Sequence, residues 1–212
     1  ASRALPAGLV SPAAVSLFIA ACALLLVLAA WQLNPLALAL SPVALAILFL
    51  YSYTKRFTWA SHLVLGLSLA GAPLGAWIAV RGDVTAVPLC LAGTVLLWVA
   101  GFDVLYALQD LEFDRQTGLN SIPARFGVVG ALWLSGLLHA AMLGLLALLP
   151  RFYLGLGGGF WLGWAGCLAL LLYQHWVVRP GDLKRLDAAF FQANGLLSIW
   201  LFAATALDIL LA

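Results

Sequence analysis

An all-α bundle of membrane-spanning helices is the fold class these residues predict, and three observations predict it. Of the 212 residues, 65% are hydrophobic and only 8% charged. A soluble domain of this size carries about a quarter of its residues as charges. Apolar stretches recur at about the length that crosses roughly 30 Å of hydrocarbon as a helix. They run continuously rather than alternating, which favours helices over a closed barrel, the other structure that satisfies its backbone in lipid.

Seven spans are expected, at about 13–32, 36–52, 61–80, 86–107, 126–149, 155–178 and 189–211. The breaks fall at "NP", "YTKRFT", "RGD", the acidic stretch 103–127, "LPRF" and "RPGDLKRLD", where proline, glycine or charge interrupts the apolar pattern. No soluble domain, tandem repeat or signal-peptide pattern is visible. Alternating the sides places Arg3, Lys55, Arg56, Arg115, Arg125, Arg179, Lys184 and Arg185 together, against Arg81 and Arg151 opposite. That asymmetry makes the first side cytoplasmic and supports the span count.

The remaining features divide into structural and chemical ones. Cys22, Cys90 and Cys167 each sit alone in an apolar run, without metal-ligand or redox spacing. His62, His139 and His175 lie far apart on the span map and are not expected to share a metal. "GAPLG" puts Gly71 and Gly75 one turn apart, a close-packing signature or the wall of a tunnel. "LGLGGGF" reads as an extracytoplasmic turn and lacks the context of a phosphate loop. Asp182, Lys184, Arg185 and Asp187 form a short cytoplasmic loop with no marked chemical role. No nucleic-acid partner is expected; the lipid bilayer is.

The chemistry concentrates in "DVLYALQDLEFDRQTGLNSIPARFG", which holds four of the chain's eight acids. On an ideal helix Asp110 lies roughly 20° to one side of Asp103 and Asp114 roughly 20° to the other, with Tyr106 and Ala107 on the same stripe. Asp110 and Asp114 stand one turn apart, about 6 Å. Like charges so arranged call for a cation, and Mg²⁺ suits them because it takes one or two carboxylates and leaves positions for phosphate oxygens. Acids at the end of an intramembrane span mark function more often than a solvated helix end does. A second cluster, "YSYTKRFT", lies on the same side. Its Lys55 and Arg56 either snorkel to headgroups or hold a phosphate or carboxylate. Trp98, Phe102 and Tyr106 form an aromatic stripe that serves packing or faces a cationic intermediate.

In this order these residues resemble the UbiA-type intramembrane aromatic prenyltransferases. "SRALPAG" resembles the segment after the family's first Asp-rich motif, "YSYTKRFT" with "HLVLG" its next cytoplasmic loop, and the stretch from Asp103 to Gly127 its second Asp-rich motif. The resemblance implies nine helices around a cavity open to the membrane, of which seven are seen. It also implies that residues 1–212 are a single domain lacking the first two helices and the first motif, N-x-x-x-D-x-x-x-D. The chain is therefore expected to hold half the metal site and to be inactive alone.

The activity implied is Mg²⁺-dependent transfer of a polyprenyl group from its diphosphate to an aromatic acid, in ubiquinone biosynthesis at the bacterial inner membrane. Asp110 and Asp114 would hold the metal, Lys55 the diphosphate and Arg56 the acid's carboxylate. Asp103 would orient the phenol or take its proton, and Tyr53 and Tyr106 would line the substrate. Two departures bear on the acceptor: "DLEFD" replaces a denser D-R-x-D-D run, and "GLNSIPARFG" also resembles relatives that prenylate a dihydroxynaphthoate in menaquinone biosynthesis. The acceptor taken is 4-hydroxybenzoate, with dihydroxynaphthoate the alternative. A transporter fragment is the rival from another class, and it predicts acids near mid-membrane instead of at one end.

Overall fold

The computed structural model of the chain describes Leu5, residues 7–178 and residues 192–211. The loop acids and bases Asp182, Lys184, Arg185 and Asp187 lie outside the described residues, as do Arg3 and Arg179 and the start of the last predicted span. The described residues form α1 (Pro12–Leu33), α2 (Pro35–Thr54), α3 (Ser61–Arg81) and α4 (Ala86–Tyr106), then a 3-10 turn (Ala107–Asp110) and α5 (Leu111–Thr117). After these come α6 (Ile122–Leu146), α7 (Leu149–Phe152), α8 (Gly158–Val177) and α9 (Asn194–Leu211). Seven of these helices match the seven predicted spans. Six are long and apolar enough to cross a membrane, counting α4 with α5 and α6 with α7 as continuous spans. α8 matches them in length, but four glycines, Gln174 and His175 dilute its hydropathy.

Helix starts follow the local sequence. Ser11 Oγ accepts the Ala14 amide at 3.2 Å before Pro12 opens α1, and Asn34 Oδ1 accepts the Ala37 amide at 2.9 Å before Pro35 opens α2. Ser121 Oγ accepts the Ala124 amide at 3.2 Å at the head of α6. Each oxygen satisfies an amide that the first helical turn leaves unpaired, and the fixed φ of proline suits that turn. Asn34 also donates Nδ2 to the Ile78 carbonyl at 2.7 Å, which ties the α1–α2 corner to the end of α3. Inside α2, Pro42 has no N–H for the Leu38 carbonyl. Ser41 Oγ donates to that oxygen at 2.9 Å, so no acceptor is stranded in an apolar setting.

α4 is the spine of the bundle, packed against α3 on one side and α6 on the other, while α8 pairs with α9, and α1 with α2. Gly66 makes the closest backbone approach between α3 and α4, for a Cβ there would fall 2.4 Å from the Leu96 carbonyl oxygen. The close-packing expectation for Gly71 and Gly75 does not hold. Nothing lies within 4 Å of a Cβ at either, and both line an apolar cavity of about 720 Å³ between α1, α2, α3 and α4. Their spacing is right for packing, but they lie roughly 140° and 180° around α3 from Gly66, on a face that borders the cavity.

A second correction concerns the histidines. His139 on α6 and His175 on α8 meet, with Nδ1 and Nε2 2.9 Å apart. His139 is buried over Gly101, whose missing side chain leaves room for the ring. A span map orders residues along each helix axis and does not say which helices face one another. His62 stays with other partners, and among the described residues no three histidines, cysteines or acids form a metal-holding group.

α8 opens on glycines and has no capping side chain of its own. Asp208, from α9, supplies the cap: its carboxylate accepts the amides of Gly157, Gly159 and Phe160 at 2.5, 2.9 and 3.1 Å. Negative charge suits the positive end of the helix dipole, so one side chain starts α8 and fastens α9 to it. The "LGLGGGF" turn is thus held by a residue some fifty positions away.

Candidate active site

The acidic stretch does not continue α4 as one ideal helix. α4 ends at Tyr106, residues Ala107–Asp110 tighten into a 3-10 turn, and α5 resumes at Leu111. A 3-10 turn advances about 120° per residue instead of about 100°, so its four residues rotate α5 by roughly 80° relative to α4. The expected common stripe for Asp103, Asp110 and Asp114 is therefore broken. Asp103 is turned toward α3, and Asp114 toward the end of α2.

The turn after α5 carries the chain back to the α2–α3 connection. Gly118, at φ 68°, ends α5 in the left-handed conformation that favours glycine. The Leu119 amide returns to the Asp114 carbonyl at 2.8 Å. The next residues dock on the α2–α3 connection: the Asn120 amide donates to the Lys55 carbonyl at 2.7 Å, and the Ile122 amide to His62 Nε2 at 3.3 Å. Ser121 between them is fully buried. The motif "GLNSI" and the loop "TKRFT" followed by His62 are thus halves of one structure, although some sixty residues separate them.

Around that junction the sequence-predicted residues divide. Asp114 is 1% exposed and takes Lys55 Nζ at 3.3 Å, while Lys55 keeps 31% of its side chain accessible. A buried carboxylate needs a partner charge, and stripping the ammonium away would cost up to about 3 kcal/mol, water at Lys55 screening the rest. Asp103 lies on α4 with 17% of its side chain exposed, and its Oδ2 is 2.6 Å from Nδ1 of the fully buried His62. Asp110, half-buried, stands at the junction of the 3-10 turn and α5, one turn before Asp114. Tyr106 is half-buried at the end of α4. Arg56 is exposed, its guanidinium 5.3 Å from the centre of the exposed Tyr53 ring. Trp98 serves packing, edge-on to Phe102 with ring centroids 5.5 Å apart, and donates Nε1 to Asn194 at 3.1 Å.

Carboxylate oxygens one turn apart suit a hard divalent cation, and Asp114 is buried beside the Lys55 ammonium. Sequence reasoning gave no role to His62, Asn120, Ser121 or Asp208. The one available signal for His62 was its position shortly after Lys55, at the head of a span.

Known proteins were compared with this architecture. A profile of the UbiA prenyltransferase family matches residues 1–204. The chain belongs to that family. As a UbiA-family protein with six apolar helices of spanning length, it is a multi-pass membrane protein. It is 34% identical to a 4-hydroxybenzoate octaprenyltransferase of Nitrosospira multiformis, over 99% of this chain and 71% of that one. It is 33% identical to one of Alkalilimnicola ehrlichii, over 77% of this chain and 55% of the relative. The chain thus spans between about half and three quarters of such relatives. Among solved structures, a UbiA homolog from Aeropyrum pernix K1 superposes with TM-score 0.87 at 32% identity, over 98% of this chain and 77% of that one. A digeranylgeranylglyceryl phosphate synthase structure, at 20% identity and TM-score 0.75, shares the fold and covers 98% and 74%.

Proposed function

We propose that this chain carries the second half of a Mg²⁺-dependent aromatic prenyltransferase site, moving a polyprenyl group from its diphosphate onto 4-hydroxybenzoate for ubiquinone synthesis. The observation that carries this reading is the buried Asp114 facing Lys55, one turn from Asp110, at one end of an otherwise apolar bundle. The names of the relatives support the acceptor and the octaprenyl donor. The basic asymmetry of the loops supports a site facing the cytoplasm of a bacterial inner membrane.

In the proposed reaction the C1–O bond of the allylic diphosphate breaks, and both electrons leave with the diphosphate. The ring carbon ortho to the phenol bonds to C1, and that ring carbon then loses its proton to the departed diphosphate. When bound, Mg²⁺ supplies charge that stabilises the departing diphosphate. Asp110 and Asp114 are the residues to hold it. Lys55 adds a fixed cation beside the leaving group, preorganised by Asp114. Asp103 orients the phenol or receives its proton, and Arg56 pairs with the carboxylate of the acid. The apolar cavity of about 720 Å³, glycine-walled at Gly71 and Gly75, offers room for isoprenoid units of the donor's tail.

Radiolabelled prenyl transfer in membranes containing the protein at its full natural length tests the proposal. Transfer to 4-hydroxybenzoate that requires Mg²⁺ is expected. Absence of transfer to any aromatic acid, with ion or proton flux in its place, would overturn the enzymatic reading.

A further inference from the structure

His62 is the most buried ionisable group at the junction, and the proposed reaction gives it no part. It lies in the first turn of α3 with no exposed surface. Its two ring nitrogens have partners of opposite kind. The Ile122 amide only donates, so Nε2, 3.3 Å away, accepts and carries no proton. In a neutral imidazole the proton then sits on Nδ1, which donates to Asp103 Oδ2 at 2.6 Å. A doubly protonated ring would aim an N–H at the Ile122 N–H, so the backbone selects the neutral tautomer. The contact with Asp103 is thereby a hydrogen bond from a neutral ring to a carboxylate.

This arrangement fixes more than a rotamer. One oxygen of Asp103 is held by His62, and the carboxylate is partly exposed, with Tyr51 also close to it. The far side of the ring is anchored to the first residue of α6, immediately after the turn that docks on Lys55. Asp103 is therefore registered against the same segment that orders the Asp114–Lys55 pair. We infer that His62 is a positioning residue: its Nδ1–H aims the Asp103 carboxylate at the phenol of the acceptor, and its Nε2 locks that aim to the α5–α6 turn. The role assigned to Asp103 rests on the proposed prenyl transfer; the hydrogen-bonded relay itself does not.

Two substitutions divide the ring's functions. His62→Asn places an amide N–H near the position of Nδ1 and keeps the donor to Asp103. His62→Gln reaches the position of Nε2 and keeps an acceptor for the Ile122 amide, but loses that donor. Misplacing a reacting group costs on the order of 100-fold in turnover. His62→Gln should therefore lower kcat by about 100-fold while the KM for the polyprenyl diphosphate stays within about twofold. His62→Asn should recover kcat to within about fivefold of the parent, even if its melting temperature falls more than that of His62→Gln. Equal losses in the two variants, or losses that track melting temperature, would overturn the inference.

¹⁵N NMR of ring-labelled His62 provides a readout without turnover. Nδ1 protonated and Nε2 bare is expected, and the reverse tautomer would also overturn the inference. A parent protein that transfers no prenyl group but shows the expected tautomer would sink the proposed function and leave the relay standing. An active parent with indistinguishable Asn and Gln variants would do the opposite.

Discussion

Asp208 at the head of α8 and the acids at the far end of α4 are carboxylates in the same greasy chain, used in opposite ways. Asp208 accepts three backbone amides, nearly filling the roughly four acceptor positions a carboxylate offers. Asp103 is held by the His62 side chain, and Asp114 by that of Lys55. A carboxylate committed to backbone amides fastens helices and has little left to give a ligand. One held by a single side chain is fixed in direction and keeps lone pairs free. The kind of partner separates a fastener from a reactive group, although all three residues are aspartates of one bundle.

The largest effect expected from this contrast is at the metal-holding pair. Asp110→Ala or Asp114→Ala in the full-length protein should lower prenyl transfer by about 1,000-fold, the scale of losing a preorganised charge at a reacting centre. Expression and melting temperature in detergent should change little for Asp110→Ala, and normal turnover by either variant would remove the assignment. Next is Arg56, which is exposed and stacked on Tyr53 until it meets a carboxylate. Arg56→Ala should raise the KM of the aromatic acid by about tenfold, the size of one charge-assisted hydrogen bond, and leave the KM of the diphosphate unchanged. An unchanged acid KM would confine Arg56 to the membrane surface.

Asp208→Ala sharpens the other half of the comparison. It should lower the melting temperature by several degrees while leaving kcat per folded molecule intact, because three amides at the start of α8 lose their acceptor. Selective loss of kcat would show that the far end of the bundle communicates with the site. The smallest contrast is between glycines of α3. Gly66→Ala should destabilise the protein by about 1–3 kcal/mol, because its Cβ meets the Leu96 carbonyl. Gly75→Ala opens onto the cavity and should be close to neutral in thermal unfolding.

Much of this was legible in the sequence because it depends on local composition. The seven helices and their breaks follow from apolar length and from the proline, glycine or charge between them. The rotation of Asp114 away from Asp103 was not legible. It comes from a 3-10 turn between α4 and α5, which no helical period anticipates. His139 with His175, and Asp208 with the α8 amides, were hidden for the same reason: each depends on which helices become neighbours. Gly71 and Gly75 show the converse failure, a packing pattern on a helix face that borders a cavity instead of a neighbour.

The bond from the Asn120 amide to the Lys55 carbonyl also sets an order of events during biogenesis. The connection between α2 and α3 leaves the ribosome and reaches the membrane surface while its partner, 65 residues later, is still unmade. Two further spans must enter the bilayer before that loop acquires its final shape. Until then its lysine is exposed to anionic headgroups, so newly inserted chains pass through a stage in which the bilayer holds a charge that the finished protein turns inward.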